Sequence, residues 1–309
     1  MAVALPAVVI LDGGLGTELT ARGHDLGDRL WSARLLLTDP DSIEAVHLDY
    51  FRAGANVATT ASYQASIEGF AAAGLNSREA LGLIARSVDV AAHARHRYRS
   101  EADDDRPLLV AGSVGPYGAM LADGSEYRGD YDVSAADLAA FHRPRIDALV
   151  EAGADLLAFE TIPTVREAEV LVGLLDDVTI PAWLSFSCRD GSSTSAGEPI
   201  SEAVALGAHP RVMAVGVNCT APRHLPGLMA RASQATDKPL IAYPNGGDRW
   251  DGHIKRWVAD DGGAYDPTAV ASWTTFGATW LGGCCGTGPR ETSVLAAAAL
   301  ASASSAPRP

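Results

Sequence analysis

Leu281-Gly282-Gly283-Cys284-Cys285-Gly286-Thr287-Gly288-Pro289 ends an apolar run with two adjacent cysteines set among glycines. Neighbouring side chains on a regular strand point to opposite faces, so Cys284 and Cys285 can share a target only if the strand stops there and the chain turns. Gly282, Gly283 and Gly286 are expected to supply the backbone freedom for that turn. Val217-Asn218-Cys219-Thr220 has a similar setting, an apolar run followed by a thiol and then a proline. Both stretches therefore read as buried strands that end at chemistry-bearing residues.

Working outward, the same grammar repeats. A run rich in Val, Leu, Ile and Ala ends in Gly, Asn, Ser or Cys, a polar loop follows, and a helix-period segment returns. Eight such runs occur: Ala7–Gly14, Asn56–Tyr63, Leu108–Pro116, Leu156–Pro163, Pro181–Cys188, Met213–Thr220, Pro239–Asn245 and Ala278–Gly286. Alternation of this kind predicts parallel strands joined by crossover helices, and eight strands close a (β/α)₈ TIM-type barrel. We expect one barrel domain over residues 1–303 and a flexible tail over 304–309. Asp41-Ser42-Ile43-Glu44 opens a predicted helix that Gly54 ends, and Ser134 opens another that stops at Gly153 and contains Pro144. Glu291 to Leu300 is alanine-rich and helical in pattern, and the segment beyond is expected to fray. Glu101-Ala102-Asp103-Asp104-Asp105 reads as solvated surface.

The 309 residues can bury a sizeable core, and the net charge of −14 argues against nucleic-acid and anionic-membrane partners. No run approaches a membrane span. Four cysteines are too few for a secreted disulfide framework, and the apolar opening lacks a basic n-region, which together predict a reducing, cytoplasmic setting. No oligomerisation arm follows the eighth helix, which predicts a monomer or weak homodimer.

Catalytic residues of such barrels sit at the C-terminal ends of the strands. Those ends offer Asp12, Glu160, Asn218 with Cys219, Asn245, and Cys284 with Cys285. Three thiolates converging there would form a three-sulfur zinc site with an open fourth position, the arrangement of catalytic zinc. Cys284 and Cys285 can also be read as two small core residues, Asp12 as a turn-former before Gly13-Gly14, and Glu160 as half of a buried ion pair. Three loops, Thr17 to Asp39, Tyr117 to Asp132 and Gly246 to Tyr265, are longer than a crossover needs and are expected to be functional. The last holds Trp250, His253, Trp257 and Tyr265, whose rings either wall a cation site or pack the loop.

Asp12-Gly13-Gly14-Leu15-Gly16-Thr17-Glu18-Leu19, Gly216-Val217-Asn218-Cys219 and Gly282-Gly283-Cys284-Cys285 together resemble the zinc-dependent homocysteine S-methyltransferase family. Leu30-Trp31-Ser32-Ala33, His47 to Gly54, Ala61-Ser62-Tyr63-Gln64-Ala65 and Ala122 to Tyr131 resemble its S-methylmethionine-using branch, and the likeness spans all but the tail. The resemblance implies a (β/α)₈ barrel with one Zn²⁺ per chain on Cys219, Cys284 and Cys285. It implies that Asp12 and Glu160 hold the amino group of homocysteine, with Gly13, Trp31, Asn218 and Asn245 as further substrate-binding positions. The family pattern Tyr-Pro-Asn-Ser-Gly has Gly246 here in place of the serine. Cys188 lies outside the ligand motifs and is expected to be structural.

The chemistry follows from the thiol. A free thiol with a pKa near 8.5 is mostly protonated at neutral pH, the thiolate is the nucleophile, and coordination to Zn²⁺ deprotonates it. Attack on the methyl of a sulfonium expels a neutral thioether, so no general acid is required. S-methylmethionine is the expected donor, with S-adenosylmethionine secondary and betaine disfavoured. Two other readings remain: a metal-dependent barrel hydrolase, which would gather histidines where these strand ends carry none, and a non-catalytic zinc- or thiol-binding barrel. His93 and His96, beside Arg95, Arg97 and Arg99, read as an exposed basic face.

Overall fold

Strand and helix alternate through the chain as the apolar runs require. The structure, a computed structural model, describes residues 5–27, 30–251, 256–260 and 264–305, so His253 and residues 306–309 lie outside the described residues. The strands are β1 (Val9–Ile10), β2 (Val57–Thr59), β3 (Leu109–Val114), β4 (Leu156–Ile162), β5 (Ala182–Phe186), β6 (Val212–Asn218), β7 (Leu240–Tyr243), β8 (Arg249–Asp251), β9 (Arg256–Val258) and β10 (Ala278–Leu281). Eight of them form one parallel sheet in the order β1-β10-β7-β6-β5-β4-β3-β2. A single bridge, Leu11 to Val57, closes the ring between β1 and β2. Asn56 reinforces that seam: its side-chain Oδ1 accepts from the Ile10 N–H at 2.9 Å, and its own N–H donates to the Ile10 carbonyl at 2.6 Å.

Two separate cores result. Inside the ring, Trp183, Trp280 and Tyr243 interleave with Ala111, Ala158 and Ala214, large against small, so the barrel is filled rather than open. Outside it, the apolar faces of the helices cover the other side of the strands. Helix starts follow local chemistry. Asp39, not Asp41, caps Pro40–Arg52 by accepting from the Ser42 N–H at 3.3 Å, and Gly54 ends the segment at φ 108°. Asn76 and Glu79 form a capping box at the start of Ser77–Glu101, the helix that carries His93 and His96 on its exposed side. Ser134 caps Ala135–Glu151, which runs on through Pro144.

Four expectations are corrected. The three long loops are not structureless: the first holds the helix Leu15–Ala21 and two short turns, the second the helix Tyr117–Leu121, and the third the antiparallel β8–β9 hairpin. The closing helix Pro289–Ser305 continues past Leu300, because alanine keeps favouring helix there. The acidic patch is more than solvated surface, since Glu101 pairs with Arg52 and Arg97 while Asp104 accepts from Tyr98 and Arg106. Gly282 and Gly283 do not take left-handed conformations. Only Gly286 does, at φ 83°; a Cβ at Gly282 would lie 2.7 Å from Leu11 Cβ and one at Gly283 2.2 Å from Thr287 Oγ1, so these two are glycine for close packing.

Candidate active site

The two sulfur-bearing stretches meet because β6, β7 and β10 are neighbours. Cys219 follows the end of β6 in a left-handed conformation, φ 45°, and donates its N–H to the Tyr243 carbonyl at 3.0 Å. Past β10, the Cys284 N–H donates to the Pro244 carbonyl at 2.8 Å and the Cys285 carbonyl accepts from the Gly246 N–H at 2.7 Å. The turn is pinned further by Tyr50, whose hydroxyl donates to the Thr287 carbonyl at 3.2 Å, and by Thr17, whose Oγ1 accepts from the Gly286 N–H at 2.8 Å. All three sulfur atoms then lie within 4.8 Å of one another. Cys188 is not among them, and burial pushes its thiol up and keeps it protonated.

Three thiols this close, Cys219 buried and the other two half-buried, cannot all ionise unaided. Hydrogen bonds from Cys284 and Cys285, and one from the Tyr127 hydroxyl at 3.2 Å, hold the Cys219 thiol well below its ordinary value. Its neighbours are pushed up in turn, because each gives its proton to that bond. Thiolate-rich sets of this kind select soft or borderline cations, and a metal replaces the shared protons with its own charge.

The carboxylates lie in the same cleft. Asp12, 5% exposed, accepts from the Thr59 N–H at 2.6 Å and the Thr59 hydroxyl at 2.8 Å, so it spans the β1–β2 seam and is not a turn-forming residue. Glu160, inside β4, accepts from the Ser113 hydroxyl and, at 3.2 Å, from Tyr243. Tyr243 in turn accepts from Trp183 Nε1 at 2.9 Å, which links the barrel filling to the site. No cation pairs with Glu160 among the described residues, which removes the ion-pair reading. Burial raises Asp12 to about 8 and Glu160 to about 7. The cleft, of about 130 Å³, is lined by Asp12, Glu126, Glu160 and the three cysteines, and no Lys, Arg or His lines it among the described residues.

Strain concentrates here. The non-glycine residues with positive φ among those described are Trp31, Ala122, Thr161 and Cys219, and all four line the cleft. Thr161 sits where the β4–β5 register shifts, a bulge that re-aims the end of β4. Asn218 holds it: Asn218 Oδ1 accepts from the Thr161 N–H at 2.7 Å and Nδ2 donates to Thr161 Oγ1 at 2.7 Å. Bonded to Thr161 through both side-chain atoms, Asn218 is buried and does not line the cleft. Asn245 accepts from the Gly247 N–H at 2.9 Å and lines an adjoining cavity that shares Cys219, Tyr127, Trp250 and Trp257 with the cleft. Gly13 and Trp31 do line the cleft. Gly16 makes room for the indole, since a Cβ there would lie 2.5 Å from Trp31 Cζ2.

Aromatic rings form one wall. Trp250 and Trp257 pair across the β8–β9 hairpin at 5.6 Å between centroids, Trp257 meets Tyr127 edge-on at 6.1 Å, and Trp31 meets Tyr63 at 6.3 Å. Tyr265 is elsewhere, its hydroxyl donating to the Gly282 carbonyl at 3.1 Å. The sequence did not single out Tyr127, Ser113, Tyr243 or Thr59 as functional. Nothing local marks the last three, since each acts through a partner on another strand, whereas Tyr127 lies within a segment whose likeness to the S-methylmethionine-using branch was already visible. No helix among the described residues is long and apolar enough to cross a membrane.

Residues 9–299 match the family model described as Homocysteine S-methyltransferase. Homocysteine S-methyltransferase 4 of Zea mays is 48% identical over 302 residues, covering 94% of this chain and 88% of its own length. Homocysteine S-methyltransferase YbgG of Bacillus subtilis (strain 168) is 46% identical over 299 residues, 94% of each chain. The crystal structure of the metallated form of the homocysteine methyltransferase MmuM from Escherichia coli superposes with a TM-score of 0.86 at 46% identity, covering 94% of this chain and 96% of that one. The sulfur cluster, the carboxylates and the barrel that carries them thus belong to a chain of the homocysteine S-methyltransferase family.

Proposed function

We propose that the chain methylates homocysteine to methionine with S-methylmethionine as its main donor, and that Cys219, Cys284 and Cys285 hold one zinc ion. The observation that carries this reading is a single cleft containing three clustered sulfurs and buried carboxylates with no basic side chain among its described residues. Such a cleft is incomplete without cations, and a metal ion, an ammonium group and a sulfonium together supply them. The donor set fits zinc: three thiolates from two segments, with room for a fourth ligand. Zinc bound there supplies the Lewis acidity that keeps a substrate thiol deprotonated at neutral pH.

The chain's own residues do the rest. Asp12 and Glu160, fixed by Thr59, Ser113 and Tyr243, receive the homocysteine ammonium in hydrogen bonds set before binding. Tyr127 orients Cys219. Trp31, Trp250 and Trp257 line the cleft with aromatic rings, whose faces favour a cation and whose bulk excludes water. The homocysteine sulfur forms a bond to the methyl carbon as the donor's sulfur–methyl bond breaks, and that electron pair leaves on a neutral thioether. From S-methylmethionine both products are methionine. No proton is needed by the leaving group, which accords with a cleft lined by no histidine among the described residues.

A donor panel tests the proposal. With equal zinc loading and homocysteine as acceptor, S-methylmethionine is expected to give the highest kcat/KM, S-adenosylmethionine a lower one, and betaine none above background. Betaine leading the panel, or no methionine from any donor in zinc-loaded protein, overturns it.

A further inference from the structure

Glu126 is the third carboxylate of the cleft, and the reaction as described leaves it without work. It is only 6% exposed, and its Oε2 is buried with no hydrogen-bond partner. Gln64, on the loop after β2, lines the same cleft. Its Nε2 donates to the Ala119 carbonyl at 2.9 Å, which fixes the amide so that Oε1 is the free end, and Oε1 too is buried without a partner. Leaving an acceptor buried and unmatched is unfavourable, more so for a charge. Asp12 and Glu160 avoid that cost through Thr59, Ser113 and Tyr243.

Glu126 cannot easily turn away. Its carbonyl accepts from Ser187 Oγ at 2.9 Å, and its N–H packs so tightly on Gly118 that a Cβ there would lie 2.7 Å from the Glu126 nitrogen. The loop that carries it is tied to buried Glu167, which accepts from the Tyr117 N–H at 2.7 Å, from the Tyr131 hydroxyl and from His142. Two buried oxygens, Glu126 Oε2 and Gln64 Oε1, are thus carried on anchored backbone at the cleft with no hydrogen-bond partner.

Homocysteine has one ammonium group, and Asp12 with Glu160 suffices for it. A sulfonium amino acid brings two cationic centres, the sulfonium and an α-ammonium. We infer that Glu126 and Gln64 accept the α-ammonium of the methyl donor, and so select sulfoniums built on an amino acid over sulfoniums and quaternary amines that lack the group. This assignment rests on the methyl-transfer reading above.

The test compares S-methylmethionine with 3-dimethylsulfoniopropionate, a sulfonium with no amino group, in zinc-loaded wild type and Glu126→Gln. The substitution is expected to raise the KM for S-methylmethionine roughly 10- to 100-fold and to shrink its kcat/KM advantage by a similar factor. Homocysteine KM and zinc content should stay at wild-type levels, which shows that the site is intact. An equal loss with both donors, a rise confined to homocysteine KM, or no change overturns the assignment. Wild-type protein that yields no methionine from either donor removes the methyl-transfer reading itself, a separate outcome.

Discussion

Cys219, Cys284 and Cys285 are presented by backbone that has already left its strands and is held in place by main-chain hydrogen bonds. Asp12 and Glu160, in the same cleft, are held through their side chains by neutral donors on other strands. The sulfur end keeps almost all of its bonding capacity for an incoming ion, with Tyr127 as the one outside donor to a cysteine sulfur among the described residues. The carboxylate end has its oxygens oriented in advance and lacks only a positive charge. Metal retention and amino-acid affinity should therefore be largely separable, with Tyr243 the link between them: its carbonyl accepts from the Cys219 N–H and its hydroxyl donates to Glu160.

The sharpest break falls on the sulfur end. Changing Cys219, Cys284 or Cys285 to Ala is expected to abolish bound zinc and to lower turnover by about three orders of magnitude or more, measured as metal per chain and methionine formed. Full activity in a metal-free triple variant would end the proposal. Glu160→Gln probes the carboxylates. Homocysteine KM should rise roughly 10- to 100-fold while zinc content is retained, and an unchanged KM would strip Glu160 of its role.

A third expectation concerns protons. Burial raises Glu160 to about 7 and Asp12 to about 8, so both are protonated in acid and poor partners for an ammonium. Homocysteine KM should fall as pH rises through 7 to 8. The stability effect has the opposite sense. An unfolded Glu releases its proton near 4.3, so the contribution of Glu160 to folding is fully present below that value and is lost as pH rises to about 7. The melting temperature of Glu160→Gln relative to wild type, without ligand, should climb between pH 4.5 and 7 and then level. A flat difference would mean that Glu160 is ionised throughout. The smallest effect is expected from Trp257→Ala, which should raise the donor KM roughly 3- to 30-fold and leave homocysteine KM alone. Equal rises in both would make the tryptophan pair mere packing.

The barrel was legible because each strand is buried on both faces and so writes a continuous apolar run, and because the ends of those runs fall at the rim. That is why Asp12, Glu160 and the three cysteines could be picked from the chain, and why all five line one cleft. Asn218 was picked on the same ground, and its side chain is bonded to Thr161 and absent from the cleft lining: a strand-end position does not say which way a side chain faces. The β8–β9 hairpin was missed because its residues show no apolar alternation, only two tryptophans that pair with each other. Gly282 and Gly283 were assigned conformational freedom when their reason is the nearness of Leu11, far along the chain, and of Thr287, brought back onto Gly283 by the turn.

The eight barrel strands, their parallel sense and the chemical identity of the rim residues were determined by the sequence alone, since periodicity acts within a few residues of where it is written. Tertiary structure alone decided which of those residues meet. Thr161 is clamped by Asn218, 57 positions away, and Glu160 by Tyr243, 83 positions away. Contacts of that span depend on the register of neighbouring strands and the curvature of the closed ring, quantities to which many strands contribute and which no single stretch encodes.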